Sequence, residues 1–408
     1  MDSHHKPDDF QRLLGIMGEL QNLKDLDALL DAVLLHARRL TGAEAGSIYL
    51  LEDGLLNFSY VHNDKLFSSV RSKYLYTRYS LPLDHKSITG FVASTGKTLV
   101  IDDVYEIPRS RPYTFNYKFD NSSGYRTKSF LALPLKTSRD KIVGVLETIN
   151  ALGDDGEIIP FTRRDQAVLG YFADKAATSV ERALLTREMV LRMISMCELR
   201  DPLETGAHAN RVGAIAAEIY HQWALNRNIS EPEIKRTRDS IRIAAMLHDL
   251  GKIAISDQIL KKPGGLEKDE FSIMQNHTIY GARLFKNTYS DLDAMCSEIA
   301  LNHHERWDGS GYPGEIDDIF ANPLELGRGK QGEKIPLSAR IVALADVYDA
   351  LVSKRAYKDP FSEDEALSFI RRQAGRHFDP EVVAAFLDIH ELIVAIRKKY
   401  PEDSIPPR

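Results

Sequence analysis

Residues 248–252 read HDLGK, residues 303–313 read HHERWDGSGYP and residues 345–358 read ADVYDALVSKRAYK. These stretches follow or interrupt apolar runs with helical spacing, and strand patterns nearly disappear beyond residue 200. The sequence therefore predicts an all-α second half. The stretches also concentrate imidazoles and carboxylates, which without thiolates suit iron, manganese, cobalt or zinc. A carboxylate such as Asp346, inside an apolar run, needs a nearby cation if it is buried.

Further candidate ligands lie around these stretches. Glu204 and His208 are four residues apart, which places them on one face of a helix. An isolated His-Asp or Glu-His pair is usually a surface or capping feature, so only the conjunction is specific. Eight donors exceed the coordination number of one ion, and a bridging carboxylate would let them hold two or three. The candidates, seven of them assigned to helical segments, are Glu204, His208, His248, Asp249, His277, His303, His304 and Asp346.

The order and spacing of these motifs resemble the HD-GYP family of the HD phosphohydrolase superfamily. The resemblance implies a helical bundle that hydrolyses cyclic di-GMP to pGpG, and in many members onward to GMP. It implies that Asp249 bridges two ions and that Glu204 contributes to a third. Two or three divalent transition-metal ions, iron or manganese, are the expected cofactors. A metal-activated water would attack phosphorus in line with the ribose 3′ oxygen.

The same resemblance implies roles in substrate binding. Asp249 and Lys252 are the expected catalytic residues, and Lys252 would also bind phosphate. The other expected substrate contacts are Asp308, Tyr312, Arg355 and Lys358. Two alternatives remain open: the basic residues form a solvated face, and the Asp308–Pro313 loop is a structural turn that holds the histidines in place.

One segment departs from the family pattern. Residues 315–334, EIDDIFANPLELGRGKQGEK, stand between the GYP motif and the IPLSAR segment, where the family usually has a shorter connection. Because the segment lies beside the expected pocket, we expect it to form a lid, to alter base selection or to obstruct entry.

The first half has a different pattern. Apolar residues with helical spacing from Leu26 to Leu40 end at Thr41-Gly42, and short β-like segments follow. This order predicts an α+β domain with an antiparallel sheet. Residues 20–185 resemble a GAF domain, a sensory module. The predicted organisation is a multidomain chain: 1–165 as the GAF-like domain, 166–198 as a connecting helix and 199–408 as the HD-type bundle.

The ligand of this first domain stays open. Asn150, Phe161 and Asp165 fit a signature of cyclic-nucleotide-binding GAF domains, whereas Ala151 and Gln166 replace its lysine and glutamate. No cysteine lies in this half, which excludes covalent bilin attachment there. A dimerisation module without a ligand is the alternative.

The connecting helix carries a coiled-coil pattern. Positions 169, 173, 176, 180, 183, 187, 190 and 194 alternate spacings of four and three and are apolar except Arg187. Such a seam favours homodimerisation through this helix and the GAF-like domain. The alternative is a helix that packs on its own domain.

The composition excludes several classes of protein. The 408 residues carry a net charge of −6, which argues against binding a nucleic-acid polymer. Only Cys197 and Cys296 occur, which favours a reducing, cytoplasmic location over a disulfide-rich secreted protein. The sequence contains no run of about 18 apolar residues, so we expect no membrane insertion.

Three functional hypotheses follow. The first is a cyclic di-GMP phosphodiesterase regulated by the GAF-like domain. The second is another HD-type nucleotide phosphohydrolase, against which the GYP loop and the doubled histidine argue. The third is a non-enzymatic cyclic-dinucleotide receptor or scaffold, which the complete set of candidate ligands disfavours.

Overall fold

A computed structural model describes residues 8–52, 54–66, 80–200, 205–286, 290–353 and 359–401. Glu204, Arg355 and Lys358 lie outside the described residues. The chain divides into two compact units, Met1–Thr186 and Arg187–Arg408. This division falls inside the predicted connecting helix, and the domain boundaries at residues 165 and 198 stay a prediction.

The first unit is built on an antiparallel sheet, as predicted. In its described part the strand order is β3-β2-β1-β6-β5-β4, with β7 paired to β6. The strands are β1 (Ala43–Glu52), β2 (Leu55–Asn63), β3 (Ser80–Pro82), β4 (Leu99–Ile101), β5 (Phe130–Lys136), β6 (Ile142–Leu152) and β7 (Ile158–Ile159). The helices are α1 (Asp8–Asn22), α2 (Leu26–Thr41), α3 (Ile88–Thr95) and α4 (Lys118–Ser123).

Alternation along the strands gives the sheet two apolar faces. In β5, Leu131 and Leu133 belong to the core shared with α2, whereas Phe130 and Ala132 belong to the core shared with α3. The predicted helix over Leu26–Leu40 is confirmed. Asp25 caps its start by accepting from the Ala28 N–H, and Gly42 ends it in the left-handed conformation.

Helix α5 (Arg163–Glu198) confirms the predicted long helix. The predicted coiled-coil positions are buried within the chain itself. Leu169, Ala173, Ala176, Val180 and Ala183 lie in the core of the first unit, and Val190 and Ile194 lie in the core of the second. Packing inside each unit therefore accounts for the seam, and homodimerisation stays a prediction that this pattern no longer supports.

The second unit confirms the all-α prediction in the part that the structure describes, where an isolated bridge joins Ala374 and Phe378. None of the described helices combines the length and apolar character needed to cross a membrane. Its helices are α6 (Gly206–Asn226), α7 (Glu231–Met246), α8 (Asp257–Leu260), α9 (Lys268–Gln275), α10 (His277–Leu284), α11 (Asp291–Asn302), α12 (Leu337–Val352), α13 (Glu363–Gln373), α14 (Pro380–Asp388) and α15 (His390–Lys399).

Helix α6 lies at the centre of this bundle. It packs against α7, α12 and α14, and fifteen of its 21 residues are buried. A 3₁₀ turn, Leu250–Ala254, follows α7 and packs on α10. This arrangement brings the start of α6, the end of α7, the start of α10, the end of α11 and the middle of α12 to one place.

Candidate metal centre

The histidines of this centre occupy two kinds of position. His208 lies in the first turn of α6, and its backbone N–H is capped by the Thr205 hydroxyl at 3.1 Å. His277 is the first residue of α10, and Asp346 lies within α12. Helix positions were predicted for these three, and the structure agrees.

The predicted helical placement is wrong for the two doubled motifs. Helix α7 ends at Met246, before His248-Asp249, and α11 ends at Asn302, before His303-His304. The last carbonyls of a helix have no partner within it. The imidazoles add a partner to carbonyls of the last turn: His248 Nδ1 lies 2.7 Å from the Ala245 carbonyl oxygen, and His303 Nδ1 lies 3.1 Å from that of Ile299.

His277 is held in the same way. The segment 267–285, predicted to be helical, divides at Asn276 into α9 and α10. His277 Nδ1 lies 2.8 Å from the Met274 carbonyl oxygen in the last turn of α9. The end of the preceding helix therefore fixes the orientation of each of these three rings.

The candidate ligands form two groups. One contains Asp249, His277, His303 and His304, and the other contains His208, His248 and Asp346. Within each group the potential ligand atoms lie within 4.8 Å of one another. The structure thus brings together all seven predicted ligands that fall in its described part.

Asp249 stands between the groups. Its Oδ1 lies 3.1 Å from His277 Nε2 and 3.5 Å from His303 Nε2. Its Oδ2 lies 3.2 Å from His248 Nε2, which belongs to the second group. In that group, Asp346 Oδ1 lies 3.5 Å from His208 Nε2 and 4.0 Å from His248 Nε2.

The tautomers make these short distances informative. Because a carbonyl accepts from Nδ1 in His248, His277 and His303, a neutral ring presents a lone pair at Nε2. Those lone pairs face carboxylate oxygens, so acceptor faces acceptor. Asp249 Oδ1 is buried and receives no hydrogen bond of good geometry from the described residues. A cation between these atoms removes the conflict, and the donor set fits a borderline transition ion.

The electrostatics favour the neutral forms of His303 and His304 and the charged form of Asp249. Burial lowers the pKa of His303 and holds that of His304 well below its usual range. Burial alone would raise the pKa of Asp249, but the Lys252 ammonium, 2.8 Å from Oδ2, helps to hold it well below its usual range. Neutral imidazole and ionised carboxylate are the forms that bind metals.

The sequence interpretation missed two residues behind His208. Asp349, fully buried, lies 2.9 Å from His208 Nδ1 through its Oδ2. Arg211 donates to both oxygens of Asp349, at 2.6 and 2.9 Å. A carboxylate on the far side of a ligating imidazole fixes its tautomer and orientation. The signal was present, because Asp349 interrupts the apolar run of α12 as Asp346 does.

The predicted substrate contacts are placed differently from one another. Lys252 lies on the 3₁₀ turn beside Asp249, as predicted from its spacing. The Tyr312 ring stacks on His304, with centroids 4.8 Å apart. Asp308 accepts from the backbone N–H and the hydroxyl of Ser310, at 3.0 and 2.5 Å. Its observed contacts are those of a turn-forming residue.

In the first unit, two of the three signature residues have structural partners. The Asn150 side chain accepts from the Lys128 N–H and donates to the Tyr125 hydroxyl and the Arg126 carbonyl. Asp165 accepts from the Thr162 N–H and hydroxyl at the start of α5, at 2.7 Å each. Their presence in this chain is thus accounted for without a ligand.

Comparisons with known proteins find domain profiles that match both halves of the chain. The HD domain profile matches residues 205–351, a second HD domain profile matches residues 326–382, and the GAF domain profile matches residues 25–180. HD domains are metal-dependent, in agreement with the two groups of histidines and carboxylates.

Curated relatives are similar to this chain over about half of its length. The chain is 39% identical over 217 residues to the 3′3′-cGAMP-specific phosphodiesterase 2 of Vibrio cholerae, covering 53% of this chain and 37% of that protein. It is 40% identical over 233 residues to the cyclic di-GMP phosphodiesterase of Thermotoga maritima, covering 57% and 56%. It is also 40% identical over 220 residues to the cyclic di-GMP phosphodiesterase response regulator RpfG of Xanthomonas campestris, covering 52% of each.

The chain spans between about a third and about half of the length of these relatives. The chain carries an HD domain at residues 205–351 and a GAF domain at residues 25–180.

Proposed function

We propose that the second unit is a metal-dependent phosphodiesterase that hydrolyses cyclic di-GMP to pGpG and onward to GMP. The observation that carries the proposal is the convergence of seven histidines and aspartates from five places in the bundle. The similarity to relatives named as cyclic di-GMP phosphodiesterases supports the substrate class.

The two groups of ligands would each hold one divalent ion, iron or manganese, with Asp249 shared between them. Glu204, outside the described residues, would complete a third site. When bound, such ions supply a hydroxide nucleophile near neutral pH and neutralise charge on phosphate oxygens. Without cations the carboxylates would repel a phosphodiester.

The chain's own residues would orient the substrate. The Lys252 ammonium lies beside Asp249 and is 20% exposed, so it can donate to a non-bridging phosphate oxygen. Tyr312 offers a ring face next to His304 for contact with a base or a phosphate. Arg355 and Lys358 are proposed to bind the substrate phosphates. For Asp308 the supported role is to shape the loop that carries Tyr312.

A second substrate, 3′3′-cGAMP, is favoured by one observation. A relative of 39% identity is named as specific for it. The two dinucleotides share the phosphodiester ring and differ in one base, so the same hydrolytic residues would serve both. Comparing kcat/KM for the two substrates decides which one the site prefers.

The test uses metal-loaded full-length protein, chromatography of the products, and Asp249→Ala. We expect wild-type protein to produce pGpG and GMP and the variant to lose at least about a hundredfold in kcat/KM, because a shared ligand is removed. Asp257→Ala is the matched control, since Asp257 is an exposed aspartate of the same unit that pairs with Arg200.

Two outcomes would overturn the proposal. Near-normal activity of Asp249→Ala would contradict the assignment of the metal centre. Full metal occupancy with binding but no cleavage of either dinucleotide would favour the receptor or scaffold instead.

We also propose that the GAF domain regulates hydrolysis and that the protein acts in the cytoplasm as a homodimer. The continuous helix α5, which begins in one unit and ends in the other, supports regulation. Analytical ultracentrifugation and activity assays of full-length protein at several concentrations test the dimer: activity and mass should rise together.

A further inference from the structure

Residues 315–334, here called the inserted segment, leave and rejoin the bundle at one point. The Glu315 N–H donates to the Arg328 carbonyl at 3.0 Å, and the Gly327 N–H donates to the Pro313 carbonyl at 2.8 Å. These bonds join the two ends of a loop, residues 315–328, next to the GYP motif. The residues between them can therefore pack on another helix while the GYP loop keeps its path.

The middle of the segment packs on α10, the helix that begins with His277. Ile319 is buried with Ile279 and Ala282 of that helix, and Ile316 and Leu324 pack against the same cluster. The Arg283 guanidinium, also on α10, donates to the carbonyls of Ile319 and Ala321.

Near its end, the inserted segment forms hydrogen bonds with the residues on either side of His303-His304. The Lys330 ammonium donates to Asn302 Oδ1 at 2.6 Å, and the Lys330 N–H donates to Glu305 Oε2 at 3.0 Å. Asn302 and Glu305 are 3% and 2% exposed. The other oxygen of Glu305 accepts from the Gly314 N–H at 2.6 Å, which ties the GYP loop to the same point.

We propose that the inserted segment is a buttress for the Asp249, His277, His303 and His304 group, and that Lys330 is its positioning residue. The inference rests on the proposed metal centre. It differs from the three roles expected from the sequence, which stay predictions, because the contacts join the segment to the elements that carry the candidate ligands. Lys330 reaches no ligand itself and acts through Asn302 and Glu305.

The physical reason is the tolerance of metal ligation. Ligand distances are met within about 0.2 Å, so a small backbone shift at His303 or His304 lowers affinity. Without the Lys330 ammonium, the buried Asn302 oxygen loses its charged donor, and the turn between α11 and the GYP loop loses one of its hydrogen bonds to the inserted segment.

The test titrates full-length, metal-free Lys330→Met with Mn²⁺ alone. Methionine keeps the backbone N–H bond to Glu305 and an unbranched side chain but removes the ammonium. We expect one of the two Mn²⁺ affinities to fall about threefold to tenfold, less than for loss of a direct partner of a ligand, and the other to stay unchanged. Lys330→Arg, which keeps a donor, should restore most of the affinity.

Lys334→Met is the matched control. Lys334 lies in the same segment, and its side chain is 73% exposed and pairs with Glu315 at 3.1 Å. It should bind Mn²⁺ as wild-type protein does. Hydrolysis by Lys330→Met should be reduced at limiting Mn²⁺ and recover at saturating Mn²⁺, with KM for cyclic di-GMP unchanged.

Unchanged Mn²⁺ affinities in Lys330→Met, or an equal loss in Lys334→Met, would overturn the buttress. So would a raised KM with full Mn²⁺ occupancy, which would assign the segment to substrate binding. If wild-type protein binds Mn²⁺ at both sites but cleaves neither dinucleotide, the proposed function fails while the Mn²⁺ titration still decides the role of Lys330.

Discussion

At the scale of single residues, Asp349 and Arg211 form the support of His208. Burial alone would raise the pKa of Asp349, yet His208 and Arg211 lower it to about 2. Asp349 is thus ionised across the working pH range and holds the Nδ1 proton of His208. Only Nε2 is then available to a metal.

Asp349→Asn should weaken metal binding at the His208, His248 and Asp346 group about tenfold or more, because the ring loses its charged partner. It should also lower the free energy of unfolding, since Arg211 is left without a counter-charge. Mn²⁺ titration and urea unfolding measure the two effects. Asp379→Asn is the control: Asp379 is also buried and pairs with Arg340, so stability should fall while Mn²⁺ affinity stays.

Glu147 gives the first unit a pH dependence. Burial raises its pKa from 4.5 to about 7, although the Ser47 and Thr89 hydroxyls each donate to it at 2.6 Å. The Glu147 carboxyl binds its proton more tightly in the folded state than in the unfolded state. Protonation of Glu147 therefore contributes fully to stability below pH 4.5, and this contribution is lost as the pH rises through about 7.

Glu147→Gln mimics the protonated form and should remove this dependence. Relative to wild-type protein, it should stabilise the first unit by about 2–3 kcal/mol at pH 8 and change little at pH 4.5. Urea unfolding at both pH values, with exposed Glu157→Gln as the control, measures the difference. If the free energy of unfolding of the Glu147 variant changed with pH in parallel with that of wild-type protein, Glu147 would not be the source of the pH dependence.

At the scale of elements, the contact between the 3₁₀ turn and α10 is closest at Gly251. A Cβ placed there would lie 1.9 Å from the His277 carbonyl oxygen and 2.4 Å from the Gly281 nitrogen. Both atoms are backbone, so a side chain cannot move aside to relieve the clash. This approach sets the distance of Asp249 and Lys252 from His277.

Gly251→Ala should therefore cost about 3 kcal/mol or more of the second unit's stability and weaken Mn²⁺ binding. Gly265→Ala is the control, because a Cβ there meets no atom within 4 Å. Thermal unfolding with and without Mn²⁺ checks both variants. If Gly251→Ala and Gly265→Ala had equal Tm values with and without Mn²⁺, the 3₁₀ turn and α10 could move apart without loss of stability.

The secondary-structure elements show how much of the fold the sequence predicted. Apolar spacing is a local property, so periodicity predicted α2, α5 and the strands β1, β2, β4, β5 and β6, but not the short strands β3 and β7. It could not tell whether the seam of α5 packs within the chain or on a second copy, since both bury Val180 and Val190 alike. The positions of His248 and His303 beyond helix ends depend on ring-to-carbonyl bonds that apolar spacing does not encode. Lys330 carries no local signal, because its partner Asn302 is 28 residues away.

At the scale of the whole molecule, the two units have separate hydrophobic cores. Helix α5 contributes Leu169, Ala173, Ala176, Val180 and Ala183 to a core of the first unit, and Val190 and Ile194 to a core of the second. The candidate metal-ligand groups found among the described residues lie in the second unit. Binding to one unit stabilises that unit by mass action.

Calorimetry of full-length protein should therefore show two unfolding transitions, and excess Mn²⁺ should raise the Tm of one. Asp249→Ala should abolish most of that rise and leave the other transition in place. A single transition whose Tm rises with Mn²⁺ would indicate that the two units unfold together.

The hydrogen bonds from His248, His277 and His303 to helix-terminal carbonyls have a consequence for how the proposed centre would be loaded with metal. Those bonds form as the backbone folds, so the three rings are oriented before any ion arrives. Metal loading would then be a late step on a folded scaffold, and the ions present at that moment would decide which metal the centre holds.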